Sequence, residues 1–536
     1  MLNYLVSFLL ASFINAIKPN IILWVMDDIG WADVGYHNSN FPTPWIDKYA
    51  HKGVILDRMY AMPQCSPTRA AIMTGMYSFR YGMQHFTTLM PGTLAGIPTD
   101  IKLLPEYLHP SYTTHMIGKW HLGYASWNQT PTMRGFESFV GFMQGQSDYF
   151  NHSLGSCKDV CMYPGNLGHV SPYGFSAGYD MWRNRTVSEN DFKKYTDDIF
   201  VEELNDVVQH SQTSQKPFFL YYSNQLIHLP LESPPNPIHL EKCKNVTGGG
   251  KEINRTILCA MTSQMDASFG EMVKLLKKKK IWNNTIIIAI SDNGGMTYWS
   301  DKYPASASSN YPLRGGKSTL FEGGVRVVSF VTGGYLPKFA KSRVIEYPMH
   351  VVDLLPTIYK ISQGSDQKFH MYDSYGIDGI DMWNTILGLE TKQHYEIPIQ
   401  IDINPLSIYG HVPHHRHHPS DGAINYTSFI MWPYKLIVGS PFITGPEFEQ
   451  SRDGWWTIVN YTWIRPPPNE SDHRLFNIEI DPAEKNDIAE SNRLIVDLIV
   501  KRIKWWIKNK YQQAQFNYPW HEMNPRFYNW IWTPID

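Results

Sequence analysis

Three stretches of the chain are apolar without interruption, and each runs into polar residues that can carry chemistry. Ile21-Ile22-Leu23-Trp24-Val25-Met26 leads into Asp27-Asp28, and Phe218-Phe219-Leu220-Tyr221-Tyr222 is followed within a few residues by His228. Thr285-Ile286-Ile287-Ile288-Ala289-Ile290-Ser291 leads into Asp292-Asn293-Gly294-Gly295. Continuous apolar runs of this length predict strands buried on both faces, the pattern of a parallel sheet covered by helices. Helix-like stretches lie between them; one, Met265 to Leu276, ends in the cationic run Lys277 to Lys280, which complements a helix C-terminus. Near Tyr395 the texture changes to short β-like runs at 427–432 and 434–438, then an amphipathic helix near 492–508. The pattern predicts an α/β fold: a large unit with a mixed, mostly parallel sheet flanked by helices, and a smaller C-terminal α+β unit with a short antiparallel sheet. The expected division is 17–395 and 396–536, with the aromatic-rich 516–536 wrapping over the larger unit. No internal repeat is evident.

The first sixteen residues read as a signal peptide, with an apolar stretch from Tyr4 to Ile14 and Ala16 as cleavage residue, although no Lys or Arg precedes it. Asn-x-Ser/Thr triplets begin at Asn128, Asn151, Asn184, Asn245, Asn254, Asn283, Asn425, Asn460 and Asn469, which together predict passage through the secretory pathway to a lysosomal or secreted destination. No apolar run approaches the length of a membrane span. Over 536 residues, 47 Lys plus Arg face 49 Asp plus Glu, so there is no global field to hold nucleic acid, and an anionic substrate must be held locally. A hydrophobic share of 43% is enough for a large core and argues against disorder.

In open α/β sheets, sites form outside the carboxyl ends of the strands. Each acidic pair alone reads as a turn or a helix cap, but jointly Asp27, Asp28, Asp292 and Asn293 offer a set of hard oxygen ligands, which suits Ca²⁺ or Mg²⁺ and not zinc. Pro63-Gln64-Cys65-Ser66-Pro67-Thr68-Arg69-Ala70-Ala71-Ile72-Met73-Thr74-Gly75 reads as a loop opening a helix, with Pro67 in its first turn and Gly75 at its end. Cys65 then sits by the helix N-terminus, with Arg69 one turn on and facing the same way. A tyrosine phosphatase loop would place five residues between Cys and Arg; only three intervene here, so that reading fails.

The Cys65–Gly75 stretch resembles the signature of the formylglycine-dependent (type I) sulfatases, Cys-x-Pro-x-Arg followed by an apolar pair and Thr-Gly. A second family signature, ending Gly-Lys-x-His, is matched by Tyr112 to Gly123, and further family-like blocks are 27–35, 291–295 and 312–317. Order and spacing are most similar to the arylsulfatase B branch and its insect relatives, from about Pro19 to the C-terminus. The resemblance implies an alkaline phosphatase-like fold and one calcium ion held by Asp27, Asp28, Asp292 and Asn293, with residue 65 completing the shell. It implies that Cys65 is oxidised to 3-oxoalanine (formylglycine) by a formylglycine-generating enzyme, the aldehyde hydrate being the nucleophile. It assigns Arg69 to holding the hydrate, His121 to its proton transfers, Lys119 and Lys317 to sulfate binding, and His228 to contacting the ester and protonating the leaving oxygen. The expected activity is hydrolysis of a small-molecule or glycan sulfate ester. Two other readings remain open: a phosphoester or phosphonate hydrolase of the same superfamily, and a secreted sulfatase-like binding protein without turnover.

Five cysteines are an awkward count for a secreted chain. If Cys65 is converted, four remain, and of the three possible pairings Cys157 with Cys161 and Cys243 with Cys259 close the shortest loops. His411, His414, His415, His417 and His418 form a His-rich stretch that reads as an exposed loop.

Overall fold

The computed structural model describes residues 18–534 apart from 38, 86–88, 90, 155–177, 248–252, 298–306, 364–375, 404–425, 440–447, 451–455, 459–472, 514–522, 524–527, 529–530 and 532. The signal-like segment, the His-rich stretch, Cys157 and Cys161 lie outside the described residues.

The three apolar runs form adjacent strands at the centre of a ten-stranded sheet. Asn20–Met26 pairs in parallel with Thr285–Ser291 on one side and Phe218–Ser223 on the other, and Thr113–Lys119 and Ser138–Phe142 continue the parallel series. Ser329–Thr332 and Val54–Leu56 extend it past Thr285–Ser291 through antiparallel pairings, and Arg343–Ile345 closes that edge in parallel. Trp182–Arg183 and Thr186–Val187 close the other. The central strands have no exposed face because helices cover both sides, so alternate residues enter two different cores: Ile21, Leu23 and Val25 pack into one, Ile22, Trp24 and Met26 into the other. The second core includes Leu258, Met261, Met265 and Phe269 from the long helix Ile253–Lys278. Cys243, in helix Pro237–Val246, is joined by a disulfide to Cys259 in that helix, as the shortest-loop pairing expects.

The smaller antiparallel sheet has the order Glu396–Asp402, Tyr426–Met431, Tyr434–Gly439, His473–Asn477. Its two faces do different work. Phe429, Leu436, Val438 and Leu475 pack on Val496, Ile499 and Ile503 of helix Arg493–Lys510, while Ile397, Ile399, Ile401, Ile430, Ile437 and Phe476 join the core of the large unit. From the aromatic tail, Met523 is buried in the large core and Ile531 bridges to Tyr179. Among the described residues no helix is long and apolar enough to cross a membrane. Asn128, Asn151, Asn184, Asn245 and Asn283 are exposed and Asn254 is partly so; the remaining three triplets fall outside the described residues.

Candidate active site

Strand register brings the candidate residues together. Met26 is opposite Ser291, Val25 opposite Ser223, and Ser223 opposite Gly118, so the next residues along, Asp27, Asp292 and Lys119, leave the sheet at nearly one level. Gly118, with φ of +100°, lies where a Cβ would run into the Ser223 carbonyl, so only glycine lets these two strands approach there. Asp28 (φ +67°), His121 (+53°) and Ser318 (+68°) all hold the left-handed backbone region. Such strain persists only where surrounding structure enforces it, and three of the nine non-glycine residues with positive φ among those described are at or beside candidate site residues.

Cys65 is the first residue of helix Cys65–Thr74, which Gly75 ends in a left-handed conformation, and every residue of that helix is buried. The Cys65 Sγ lies 3.4 Å from His121 Nδ1, and His121 Nε2 is 3.3 Å from the Leu89 carbonyl. A carbonyl only accepts, so Nε2 carries the proton and Nδ1 presents a lone pair to residue 65. Burial, then the Lys119 and Arg69 charges, push the His121 pKa well below the usual histidine value, so the ring is the neutral acceptor this geometry requires. Gly145 makes room for it, because a Cβ there would lie 2.7 Å from His121 Cε1.

Three carboxylates and three cations fill the floor of the site. Lys119 Nζ binds both oxygens of Asp27, at 3.1 and 2.9 Å. Lys317 Nζ does the same on Asp28, at 2.7 Å to each oxygen. Arg69, fully buried, donates from Nε and a terminal nitrogen to Asp292 Oδ2 at 3.0 and 2.8 Å, and that terminal nitrogen is 3.5 Å from Asp27 Oδ1. Its other terminal nitrogen donates to Ser223 Oγ and to the Lys119 carbonyl. Burial pushes the Asp27 carboxyl up, but Lys119, His228 and Arg69 outweigh it and hold it below the usual carboxylate range. Asp28 behaves alike, with Lys317 as its main counter-charge. Lys317 is held above the usual lysine range, since Asp28 more than offsets its own burial.

Asn293 donates from Nδ2 to Asp28 Oδ1 at 2.7 Å, while its buried Oδ1 has no partner. His228 donates from Nδ1 to the Leu229 carbonyl at 2.8 Å, leaving Nε2 3.7 Å from Asp28 Oδ2. Burial, then Lys317, lowers its pKa. Ligand atoms of Asp27, Asp28 and His228 lie within 4.8 Å of one another. That grouping includes an imidazole where the sequence reading has oxygen donors only; the buried, unpartnered Asn293 oxygen keeps the oxygen set the better description for a hard cation.

Two positions escaped the sequence reading. Ser223, which receives Arg69 and donates to the Lys119 carbonyl at 2.8 Å, is a polar residue closing an apolar run, a signal that was present. Asn310 ties the Asp292–Gly295 turn to the Lys317 loop: it accepts from Gly295 N at 2.9 Å and donates to the carbonyls of Gly295 and Gly315. No local pattern marks it.

A thiol-bearing helix end, facing a neutral histidine above a bed of cations at the carboxyl ends of a mostly parallel sheet, is an arrangement suited to hydrolysis of anionic esters. The chain belongs to the sulfatase family: the family model described as Sulfatase matches residues 19–364. It is 31% identical to arylsulfatase J of Mus musculus over 96% of this chain and 80% of that protein. It is 28% identical to the N-acetylgalactosamine-6-sulfatase of Canis lupus familiaris over 69% of this chain and 66% of that protein. Among solved structures, Ps i-CgsB in complex with k-i-k-neocarrahexaose superposes with a TM-score of 0.70 at 26% identity, covering 95% of this chain and 97% of that one. The protein is a sulfuric ester hydrolase.

Proposed function

We propose that this chain hydrolyses sulfate esters with residue 65, converted to formylglycine, as nucleophile and with one calcium ion, and that its substrates include sulfated glycans. The observation that carries the reading is Cys65 at a helix N-terminus, 3.4 Å from a neutral His121 whose free lone pair faces it. The donor set suits a hard cation: three buried carboxylates and an amide oxygen without a partner. Asp27, Asp28, Asp292 and Asn293 would hold calcium, with residue 65 completing the shell. Once in place, the calcium supplies Lewis-acid stabilisation of oxygen charge, and the formylglycine hydrate supplies the attacking hydroxyl.

The remaining work belongs to the chain's own side chains. His121 accepts a proton at Nδ1 from a hydroxyl on residue 65. Arg69, pinned by Asp292 and Ser223, holds its charge beside that residue. Lys119 and Lys317 offset charge on the sulfate oxygens as the sulfur–oxygen bond breaks. His228, with Nδ1 fixed on the Leu229 carbonyl, holds Nε2 free to carry a proton to the leaving oxygen. The charges fit an anionic substrate: Asp27, Asp28 and Asp292 are matched by Arg69, Lys119 and Lys317, so a divalent cation leaves the site net positive. The glycan reading draws on the relatives, one named N-acetylgalactosamine-6-sulfatase and one solved in complex with k-i-k-neocarrahexaose. A secretory-pathway location, lysosomal or extracellular, belongs to the same reading.

Peptide mass spectrometry at residue 65 tests it, because an intact thiol in active protein would remove the mechanism. Rates on an aryl sulfate and the matching aryl phosphate separate sulfatase from phosphatase chemistry; the sulfate should be the faster.

A further inference from the structure

The C-terminal unit reaches the site through a buried ion cluster. Lys435 lies in strand Tyr434–Gly439, paired with Ile430 on one neighbour and Phe476 on the other, on the sheet face that meets the large unit. It is fully buried, in the middle of an apolar run where alternation calls for a hydrophobic side chain. Its Nζ lies 3.0 Å from Glu322 Oε1 and 3.0 Å from Glu484 Oε1, and both acids are fully buried. Glu322 also accepts from the Tyr60 hydroxyl at 3.0 Å and is 3.9 Å from Arg326. Glu484, held at a φ of +52°, accepts from the Glu322 backbone N–H at 2.6 Å, and its carbonyl accepts from Arg314 at 3.3 Å.

These contacts converge on the single turn Glu322–Val325, which is wedged between the two loops that carry site residues. Gly323 N donates to the Arg314 carbonyl at 2.7 Å, three residues before Lys317. Gly294 N donates to the Gly324 carbonyl at 2.9 Å, one residue after Asn293. Lys317 N then donates to the Gly295 carbonyl at 3.1 Å, joining the two loops to each other. The layers are too close for side chains: a Cβ on Gly323 would lie 2.6 Å from the Gly315 carbonyl oxygen, and one on Gly316 2.6 Å from that of Gly295. A stack this tight transmits displacement, because interiors are close-packed and do not deform smoothly.

We propose that Lys435 and Glu484 are positioning residues for the hydrolysis: from the C-terminal unit they fix the Glu322–Val325 turn, and through it the spacing between Asp292-Asn293 and Lys317. This rests on the reading of those residues as calcium and sulfate ligands, so the test separates the two. Lys435→Met, Lys435→Arg and Glu484→Ala would be compared with the parent for kcat and KM on an aryl sulfate, calcium affinity by titration, and melting temperature, beside Cys65→Ala as control. Lys435→Met and Glu484→Ala are expected to lower kcat and to weaken calcium binding by about tenfold each, with KM changed less, and Lys435→Arg to regain most of both. Parent kcat, KM and calcium affinity in a folded Lys435→Met or Glu484→Ala would overturn the proposal. If Lys435→Met does not fold, Glu484→Ala decides alone, since it leaves Lys435 and Glu322 paired one to one. Turnover by Cys65→Ala would instead bring down the catalytic reading, whatever the other variants do.

Discussion

Two buried clusters in this protein are built from the same parts and behave in opposite ways. At the sheet's carboxyl end, Asp27, Asp28 and Asp292 meet Lys119, Lys317 and Arg69; at the junction with the C-terminal unit, Glu322 and Glu484 share Lys435, with Arg326 farther off at 3.9 Å. Burial pushes every one of these carboxyls whose shift is resolved toward the neutral form. In the first cluster the cations outweigh it, and Asp27 and Asp28 sit below the usual carboxylate range. In the second, the lysine offsets it only in part, Glu322 opposes it, and Glu484 is pushed up to about 7. Burial alone therefore does not set the charge state; the local count of counter-charges does. One cluster holds Asp27 and Asp28 toward the ionised form that can bind a cation, while the other, with one close lysine for two acids, pushes Glu484 toward the protonated form.

Four experiments would break or sharpen this contrast, taken in order of their effect on activity. Cys65→Ala should abolish turnover, a loss of at least about 10⁴-fold, while leaving the melting temperature near that of the parent; residual activity in a purified sample would defeat the nucleophile assignment. Lys317→Ala should cost about 10² to 10³ in kcat by removing a cation from the site and leaving Asp28 short of counter-charge, and steady-state kinetics on an aryl sulfate would measure it. Lys435→Met should do the reverse in kind: only about tenfold in kcat, but about 3–5 kcal/mol in denaturant-measured stability, because Glu322 and Glu484 lose their shared partner. The same change combined with Glu322→Gln should recover much of that stability.

The smallest effect is on pH dependence. Glu484 has a folded pKa of about 7 against an ordinary 4.5, so the folded state holds a proton that the unfolded chain releases between those values. Its contribution to stability is therefore greatest at low pH and is lost as pH rises through about 7. Asp266, raised by burial to about 7, and Asp180 and Asp197, raised by burial to about 6, act in the same sense. Buried histidines, among them His37, His115, His121 and His228, have lowered pKa values and act in the opposite sense. The measurement is therefore the difference between variant and parent: Glu484→Gln should gain melting temperature relative to the parent as pH rises from about 5 to about 8, and a constant difference would show that Glu484 is not protonated in the fold.

Where local sequence carried the information, the structure agrees with it. The apolar runs predicted the central strands because nothing polar interrupts them, and their exits at Asp27-Asp28, His228 and Asp292-Asn293 do converge. The helix at Cys65 was legible from Pro67 and Gly75, and the C-terminal sheet and helix from their periods. The pairings that set charge were not. Lys435 meets Glu322 across 113 residues of sequence, and the Glu484 carboxylate meets the Glu322 backbone across 162. A lysine inside an apolar β run reads locally as a residue turned to solvent, and only distant partners make its burial tolerable. Asn310 is similar, since its side chain makes four hydrogen bonds to backbone, among them one to Trp31 across 279 residues of sequence.

The burial of Cys65 also has a consequence in time. The Cys65 helix shows no exposed residue, so on the formylglycine reading the converting enzyme has to reach this side chain before the chain closes over it. The sheet beneath it needs Thr285–Ser291, which leaves the ribosome roughly 230 residues after Cys65; at about 5–20 residues per second that is an interval of roughly 10 to 50 s. Synthesis itself would then set the deadline for the proposed conversion, and a variant that folded sooner after Ser291 emerged would be expected to carry more intact cysteine at residue 65.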